Sequence, residues 1–536
     1  MNTNLSRRTV SSHTVFVRLA GCERGDVVSA SPYIKPTLLG ISVVGPALAL
    51  SANPAKVPGT RTTSILHKIP GLPVLPTLEE VQSIQKRQAN TTLNLNDIQF
   101  DIVVGQQKIK QLFYFFSIQN ATDFKTKLKN NVAPIVTSAQ QMLTTSTQPI
   151  VAVNIAFSQT GLTALGVTDN VGSGEFNGGQ FQSTFILGDD PANWVTALAG
   201  TTVHGVFLLA SDTEARINTQ VAALETALGT SITKRHSLLG ASRPAPNVGH
   251  EMFGFLDGIG QPAIIGFQTP NPGQMPTKPG VIILGMDGDG LATVRPSWSI
   301  GGSFMAFRQL DQLVPEFNKF LLDRAPAATG LTVQQRADKF GARLIGRWKS
   351  GAPVDLFPTA DNATAGTDKN VNSAFTFDHT NEGFDFATDQ THCPFGAHIR
   401  AMRPRADVTF DASNNMIMRA GIPYGPEVTS AESQSNTTTQ QRGFAFVAYQ
   451  TAINRGFVEL QVAWANTENA FSKTPAHGVD PIIGTPVSNR PNRWITGMDP
   501  ANPTANITYS TSFVVSRGGE YFLTPPISAL TGRLSQ

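Results

Sequence analysis

Asp257 is the residue whose setting most needs a chemical reason. It stands in GHEMFGFLDGIGQP (Gly249–Pro262), among apolar side chains and next to Gly258. A carboxylate in such company is costly unless it is paired or hydrogen-bonded. Loss of water also drives its pKa upward. Two roles fit: the cap of a turn, or a proton carrier in a pocket.

A second concentration of chemistry lies 141 residues on, in HCPFGAHIRAMRPR (His392–Arg405). His398 is surrounded there by Arg400, Arg403 and Arg405. Such a cluster suits an anionic cofactor whose carboxylates are held by guanidinium forks. A solvated basic loop is the alternative. Arg419, in MIMRAGIPYGPE (Met416–Glu427), follows an apolar run and reads equally well as a surface arginine. The other body histidines, His204, His236, His250, His379, His392 and His477, have no comparable context. Hydrolase signatures are missing: the chain has no G-x-S-x-G, H-E-x-x-H or G-x-x-x-x-G-K-[ST]. DGDG (Asp287–Gly290) lacks the glutamate of a calcium loop and reads as a turn.

These residues need a scaffold that brings distant segments together. IQFDIVVGQ (Ile98–Gln106) and KQLFYFFSIQ (Lys110–Gln119) are expected as strands, and DFKTKLKNNVAPIVTSAQQML (Asp123–Leu143) as a helix. Strands over Pro149–Leu162 and Val203–Asp212 and a helix over Thr213–Gly229 follow. The same order recurs: a strand at Gly301–Leu310, two helices through Trp348, then a strand at Arg442–Thr451. Strands and helices in this order fit two α+β halves, each an antiparallel sheet with helices on one face. The Pro/Gly-rich TPNPGQMPTKPG (Thr269–Gly280) marks the expected boundary, giving halves at 88–275 and 276–536.

Composition narrows the class. Apolar residues make up 40% of the 536 and charged residues 15%, which is globular rather than disordered. The net charge of +3 comes from the leader: residues 1–87 hold ten Lys/Arg and four Asp/Glu. The remainder is slightly acidic and carries no basic stripe, which excludes nucleic acid as a partner. Cys22 and Cys393 are the only cysteines, so the body can have neither a disulfide framework nor a cysteine zinc site.

Residues 1–87 read as processing sequence. Lys35–Ala55 has the cation, short apolar run and small residues of a signal peptide, too short and too rich in proline to span a membrane. The Arg- and Ser-rich stretch before it also suits a mitochondrial-type transit peptide or a misassigned start. Lys86-Arg87 is a dibasic site suited to pro-peptide removal. With sequons at Asn90, Asn120, Asn362, Asn436 and Asn506, the expectation is a secreted glycoprotein.

Together these segments resemble the dye-decolourising peroxidases, in particular the secreted fungal haem enzymes. GFLDG (Gly254–Gly258) matches their G-x-x-D-G, CPFGAHIR (Cys393–Arg400) their proximal histidine segment and MRAGIPYGPE (Met418–Glu427) the segment of their distal arginine. RPSWSIGGSFMAFR (Arg295–Arg308), GRWKSGAP (Gly346–Pro353), RGFAFVAYQ (Arg442–Gln450) and SRGGEYFLTPPISAL (Ser516–Leu530) extend the likeness from about Thr91 to the C-terminus.

The resemblance implies an α+β fold of two ferredoxin-like halves, related to the dimeric α/β barrels. One haem b per chain would be held mainly by the C-terminal half. His398 would be the axial ligand of the iron, with Asp480 of GVDPIIG on its other nitrogen; Arg400, Arg405 and Gly258 would complete the haem site. Asp257 would act as distal acid and base and Arg419 would stabilise O–O cleavage. A distal aspartate, with its low intrinsic pKa, predicts activity at acid pH. Phe446 would enclose the peroxide; Phe444 stands where fungal relatives commonly carry leucine, and its larger ring would narrow peroxide access. Trp464 and Tyr424 would be surface oxidation sites for bulky donors, against the alternative that both are packing residues. The implied activity is a monomeric peroxidase oxidising dyes, phenols and lignin-like aromatics by one-electron steps, with no membrane partner. The competing expectation is a non-catalytic haem carrier or sensor.

Overall fold

The computed structural model describes residues 64–88, 92–200, 202–485 and 493–536. The signal-like segment and Asn90 therefore lie outside the described residues.

Nine strands build the central sheet. The first half supplies β1 (Lys110–Ile118), β2 (Ala152–Phe157), β3 (Gly205–Ser211) and β4 (Ile232–Ala241). The second supplies β5 (Ser303–Gln312), β6 (Met418–Arg419), β7 (Ile422–Tyr424), β8 (Gly443–Gln450) and β9 (Val514–Thr524). The order β5-β9-β2-β3-β1-β4-β7-β8 closes on itself through antiparallel pairing of β8 with β5. The result is a barrel of eight strand positions, with β6 and β7 as two pieces of one interrupted strand along β8. Each half contributes four adjacent positions, in the same relative order. That is the two-half α+β architecture expected from the sequence, with closure removing the sheet edges that each half would expose alone.

Alternation along the strands sorts side chains into two cores. Phe113 and Phe115 join Met305, Phe307, Val447 and Phe522 in one cluster. Tyr114 and Phe116 turn to the other face, where Phe207 and Tyr521 pack with the helix Glu214–Leu228. A third cluster sits outside the barrel. Met252, Phe253 and Phe255 pack there with Phe317 and Phe340, on the helices Val314–Arg324 and Val333–Ile345. The apolar neighbours of Asp257 are thus anchors for its loop.

Two expected elements are corrected. Ile98–Gln106 is no strand: Asp101–Val104 forms a helical turn. The reason is the buried Asp101, which pairs with Lys108 and accepts from the Tyr449 hydroxyl at 2.7 Å. A short apolar run does not distinguish a strand from a buried helical turn. The long helix over Asp123–Leu143 is not one α-helix: Ala121–Lys127 runs on through a π turn, Leu128–Val132, and a 3-10 turn at Ala133–Ile135 that contains Pro134, and a separate helix, Ala139–Leu143, follows.

Residues 64–87 are packed onto this framework. The helix Leu78–Arg87 has a capping box at Thr77 and buries Val81 and Ile84. Leu72 clusters with Leu256 and Ile259. Lys86 and Arg87 remain exposed.

Candidate active site

Asp257, His398 and Arg419, far apart in sequence, all line one cavity of about 600 Å³. Each is placed by a different element. Asp257 ends the third-cluster loop, where its N–H donates to Gly249 O at 3.1 Å. Gly258 follows with φ +95°, a conformation that favours glycine. Arg419 ends β6. His398 opens the short helix His398–Met402. The segment leading to that helix is tied down by buried Arg343, which donates to the carbonyls of Thr391 (3.0 Å), His392 (3.2 Å) and Gly497 (2.9 Å).

On one side of the cavity Arg419 Nη1 donates to Asp257 Oδ1 at 2.6 Å. The same oxygen accepts from Gly258 N at 2.7 Å, and Oδ2 accepts from Gln106 Nε2 at 3.2 Å. Burial alone would raise the Asp257 pKa, but the charge and hydrogen bond of Arg419, with the Gly258 N–H, hold it below the usual carboxylate value. The pair is 28% and 24% exposed. It faces open space, so the carboxylate remains reachable.

His398 is anchored through Nδ1, 2.8 Å from Asp480 Oδ2. Asp480 is buried, and its Oδ1 accepts from Ile482 N and Ile483 N at 2.8 and 2.9 Å. Burial would raise this carboxyl; the His398 contact and the two backbone donors bring it below its ordinary value. A buried carboxylate on Nδ1 keeps the proton there and leaves the Nε2 lone pair for a metal.

The remaining lining fits a haem. Phe255, Ile345, Met402, Phe446, Phe457 and Ile482 supply apolar walls. Two lining arginines have donors with no partner among the described residues: Nε and Nη1 of Arg308, and Nη1 of Arg493. Both are at least 95% buried. Unpaired buried guanidinium donors are costly, and a ligand carrying carboxylates satisfies them. Sequence reasoning missed both, because neither stands in a cluster of charged residues.

It had assigned that task to Arg400 and Arg405. Arg400 does not line the cavity: it is buried against Asp407 (2.6 and 2.8 Å) and Cys393 O (2.7 Å), where it steadies the histidine segment. Arg405 does line the cavity, but its Nη1 is taken by the carbonyls of Ser373 and Phe375. Gly258 is not against the main cavity either; a Cβ there would meet Leu72 Cδ2 at 2.9 Å and Gln106 Oε1 at 3.1 Å. Phe444 and Phe446 both line the cavity, on the strand β8.

The two expected surface aromatics are not at the surface. Tyr424 is 3% exposed and donates to Asp311 Oδ1, and Trp464 is 5% exposed with its ring edge-on to Phe471. Burial and the Asp311 carboxylate raise the Tyr424 pKa far above its ordinary value. Apolar packing decided both positions, as the alternative reading allowed.

Outside the cavity, His379, Glu382 and His392 gather as a possible metal triad. The two imidazoles stack 3.7 Å apart and 11° from parallel, so their in-plane lone pairs do not converge. Asp355, Glu382 and Asp389 bond their nitrogens at 3.0–3.1 Å, which accounts for the group as a hydrogen-bonded network.

Known proteins place this arrangement. Residues 97–244 match the family model of the DyP dimeric alpha+beta barrel domain, and 250–475 that of the Dyp-type peroxidase C-terminal domain. The chain is 53% identical over 520 residues to dye-decolorizing peroxidase AauDyP1 of Auricularia auricula-judae, covering 94% of this chain and 99% of that protein. It is 52% identical over 499 residues to a dye-decolorizing peroxidase of Exidia glandulosa, covering 93% and 97%. A crystal structure of the Auricularia auricula-judae decolorizing peroxidase superposes with a TM-score of 0.80 at 56% identity, covering 83% of this chain and all of that one. Barrel, cavity and sequence agree, and the chain belongs to the DyP-type peroxidase family.

Proposed function

We propose that this protein is a haem peroxidase that reduces hydrogen peroxide and oxidises bulky aromatic donors, anthraquinone-type dyes among them. The observation that carries the reading is the cavity with Asp257 and Arg419 on one side and the Asp480-anchored His398 also in its wall. A haem bound there, with His398 as ligand and Arg308 and Arg493 toward its carboxylates, supplies the redox centre between peroxide and donor. The protein supplies the protons and the field. Asp257, ionised, accepts a proton from one peroxide oxygen and returns it to the other, which leaves as water. Arg419 offsets the negative charge that grows on oxygen as the O–O bond breaks. Asp480 orients His398 and strengthens it as a donor. Phe446 and Phe457 exclude water from the peroxide space.

The boundary between the halves is placed near residue 275, in the Pro/Gly-rich stretch Thr269–Gly280, which lies inside the second family-model match (250–475) rather than in the gap after the first (97–244). Secretion is supported by the sequons, of which Asn120 and Asn506 are exposed, and by the exposed Lys86-Arg87. No helix among the described residues is long and apolar enough to cross a membrane.

The test is peroxide-driven bleaching of an anthraquinone dye by holoenzyme. Asp257→Ala and Arg419→Leu should each bind haem and lose most turnover. Undiminished bleaching in both variants would overturn the reading.

A further inference from the structure

The strand that carries Arg419 is incomplete. β6 pairs with β8 along one edge, Arg419 opposite Ala448, and no described strand covers the other edge. An uncovered edge leaves backbone groups without partners, which inside a protein must be satisfied. Here one side chain does so. Gln261 Oε1 accepts from Arg419 N at 3.0 Å, and Gln261 Nε2 donates to Arg419 O at 2.7 Å. The amide stands in for the missing strand residue.

Gln261 is itself fixed. It is 7% exposed, its N–H donates to Ile259 O at 3.0 Å, and its carbonyl accepts from Gln274 Nε2 at 3.2 Å. Gly105 makes room for it: a Cβ there would lie 3.4 Å from Gln261 Nε2 and 3.6 Å from Arg419 O. Gln261 is also four residues beyond Asp257. One loop therefore presents the acid and grips the backbone of the arginine that pairs with it, across 158 residues of sequence.

We infer that Gln261 is a positioning residue for peroxide activation, which sets the reach of Arg419 to Asp257. The inference rests on the peroxidase reading of this cavity. A misplacement of about 1 Å at a reacting group costs about 10²-fold in rate. The charged groups acting on Asp257 are Arg419, Glu251, Arg347 and His398; a change at Gln261 contacts only Arg419 among them.

Two variants of the holoenzyme give opposite pH signatures. Gln261→Met keeps length and loses both hydrogen bonds. It should lower kcat/KM for peroxide about 10²-fold, and its activity relative to wild type should fall further as the pH drops, because Asp257 loses support from Arg419. Gln261→Glu, when ionised, sets an oxygen against the Arg419 carbonyl; when protonated, it can again accept from N–H and donate to C=O. Its activity relative to wild type should rise as the pH drops. Equilibrium fluoride binding, followed by absorbance, gives a readout other than turnover and should weaken in Gln261→Met. If both variants match wild type, or both lose activity by the same factor at every pH with fluoride affinity unchanged, Gln261 is not a positioning residue. If instead Asp257→Ala retains full activity, the peroxidase assignment of the cavity fails, which is a separate outcome.

Discussion

At the residue scale the account turns on three side chains and what holds them. Asp257 acts as a base only when ionised. Its pKa is depressed by Arg419 against the effect of burial, so the carboxylate stays ionised to more acidic pH than an ordinary aspartate, and the base is lost as the pH falls through that depressed pKa. Arg419→Leu removes the charge and the hydrogen bond but not the burial. The pKa should then rise above the ordinary value, and the acid limb of the rate profile should move to higher pH. The same change should cost about 10²–10³-fold in turnover, the scale for losing one preorganised charge-stabilising donor. Initial rates against pH for both proteins check sign and size. Asp480→Asn should weaken peroxide turnover or metal retention about 10–100-fold, as loss of an outer-shell carboxylate does elsewhere; haem content per chain and turnover decide it. Asp257 was legible from its setting, a carboxylate among apolar residues. Arg419 was not, because an isolated arginine after an apolar run carries no signal without the family segment around it. Arg308 and Arg493 were invisible, since their distinguishing feature is the lack of a partner in three dimensions.

At the scale of elements, the strands with strong apolar patterning were readable and the others were not. β1, β3 and β8 fall within their expected spans, and β5 overruns its own by two residues, because alternating aromatic and branched residues fill both faces of the wall. β4 escaped notice: ITKRHSLLGA exposes Thr233, Lys234 and Arg235, and its pairing with β1 is what makes it a strand. The helical turn at Asp101 was misread because its buried ion pair with Lys108 forms only after the chain folds back. β8 also carries Phe444. The Phe444 ring lines the cavity and packs onto Gly421, where a Cβ would meet it at 2.4 Å. Phe444→Leu should widen the approach and raise the second-order rate constant with peroxide, leaving turnover at saturating peroxide nearly unchanged. A stopped-flow rate no faster than that of wild type would remove Phe444 as a constriction.

At the scale of the molecule, closure of the barrel from two four-strand halves brings residue 257 to residues 398 and 419, which no local pattern could foretell. It also sets a limit on substrates. A cavity of about 600 Å³, once filled by a haem, would leave little room for a large dye, so electrons from such donors would have to cross protein. Trp464 is buried, so any part it plays in that transfer would be as a relay behind the surface. Trp464→Phe should lower turnover of an anthraquinone dye while sparing a small phenol, measured as the ratio of the two rates. All of this depends on the cavity being a haem site in which the chain's own acid activates peroxide. The most direct measurement is the absorbance spectrum of the purified holoenzyme before and after one equivalent of hydrogen peroxide, beside Asp257→Ala. The account predicts a haem Soret band in both proteins, with a rapid change in the wild type and a change slowed about 10²–10⁴-fold in the variant. No Soret band in either, or equally rapid changes in both, would contradict it.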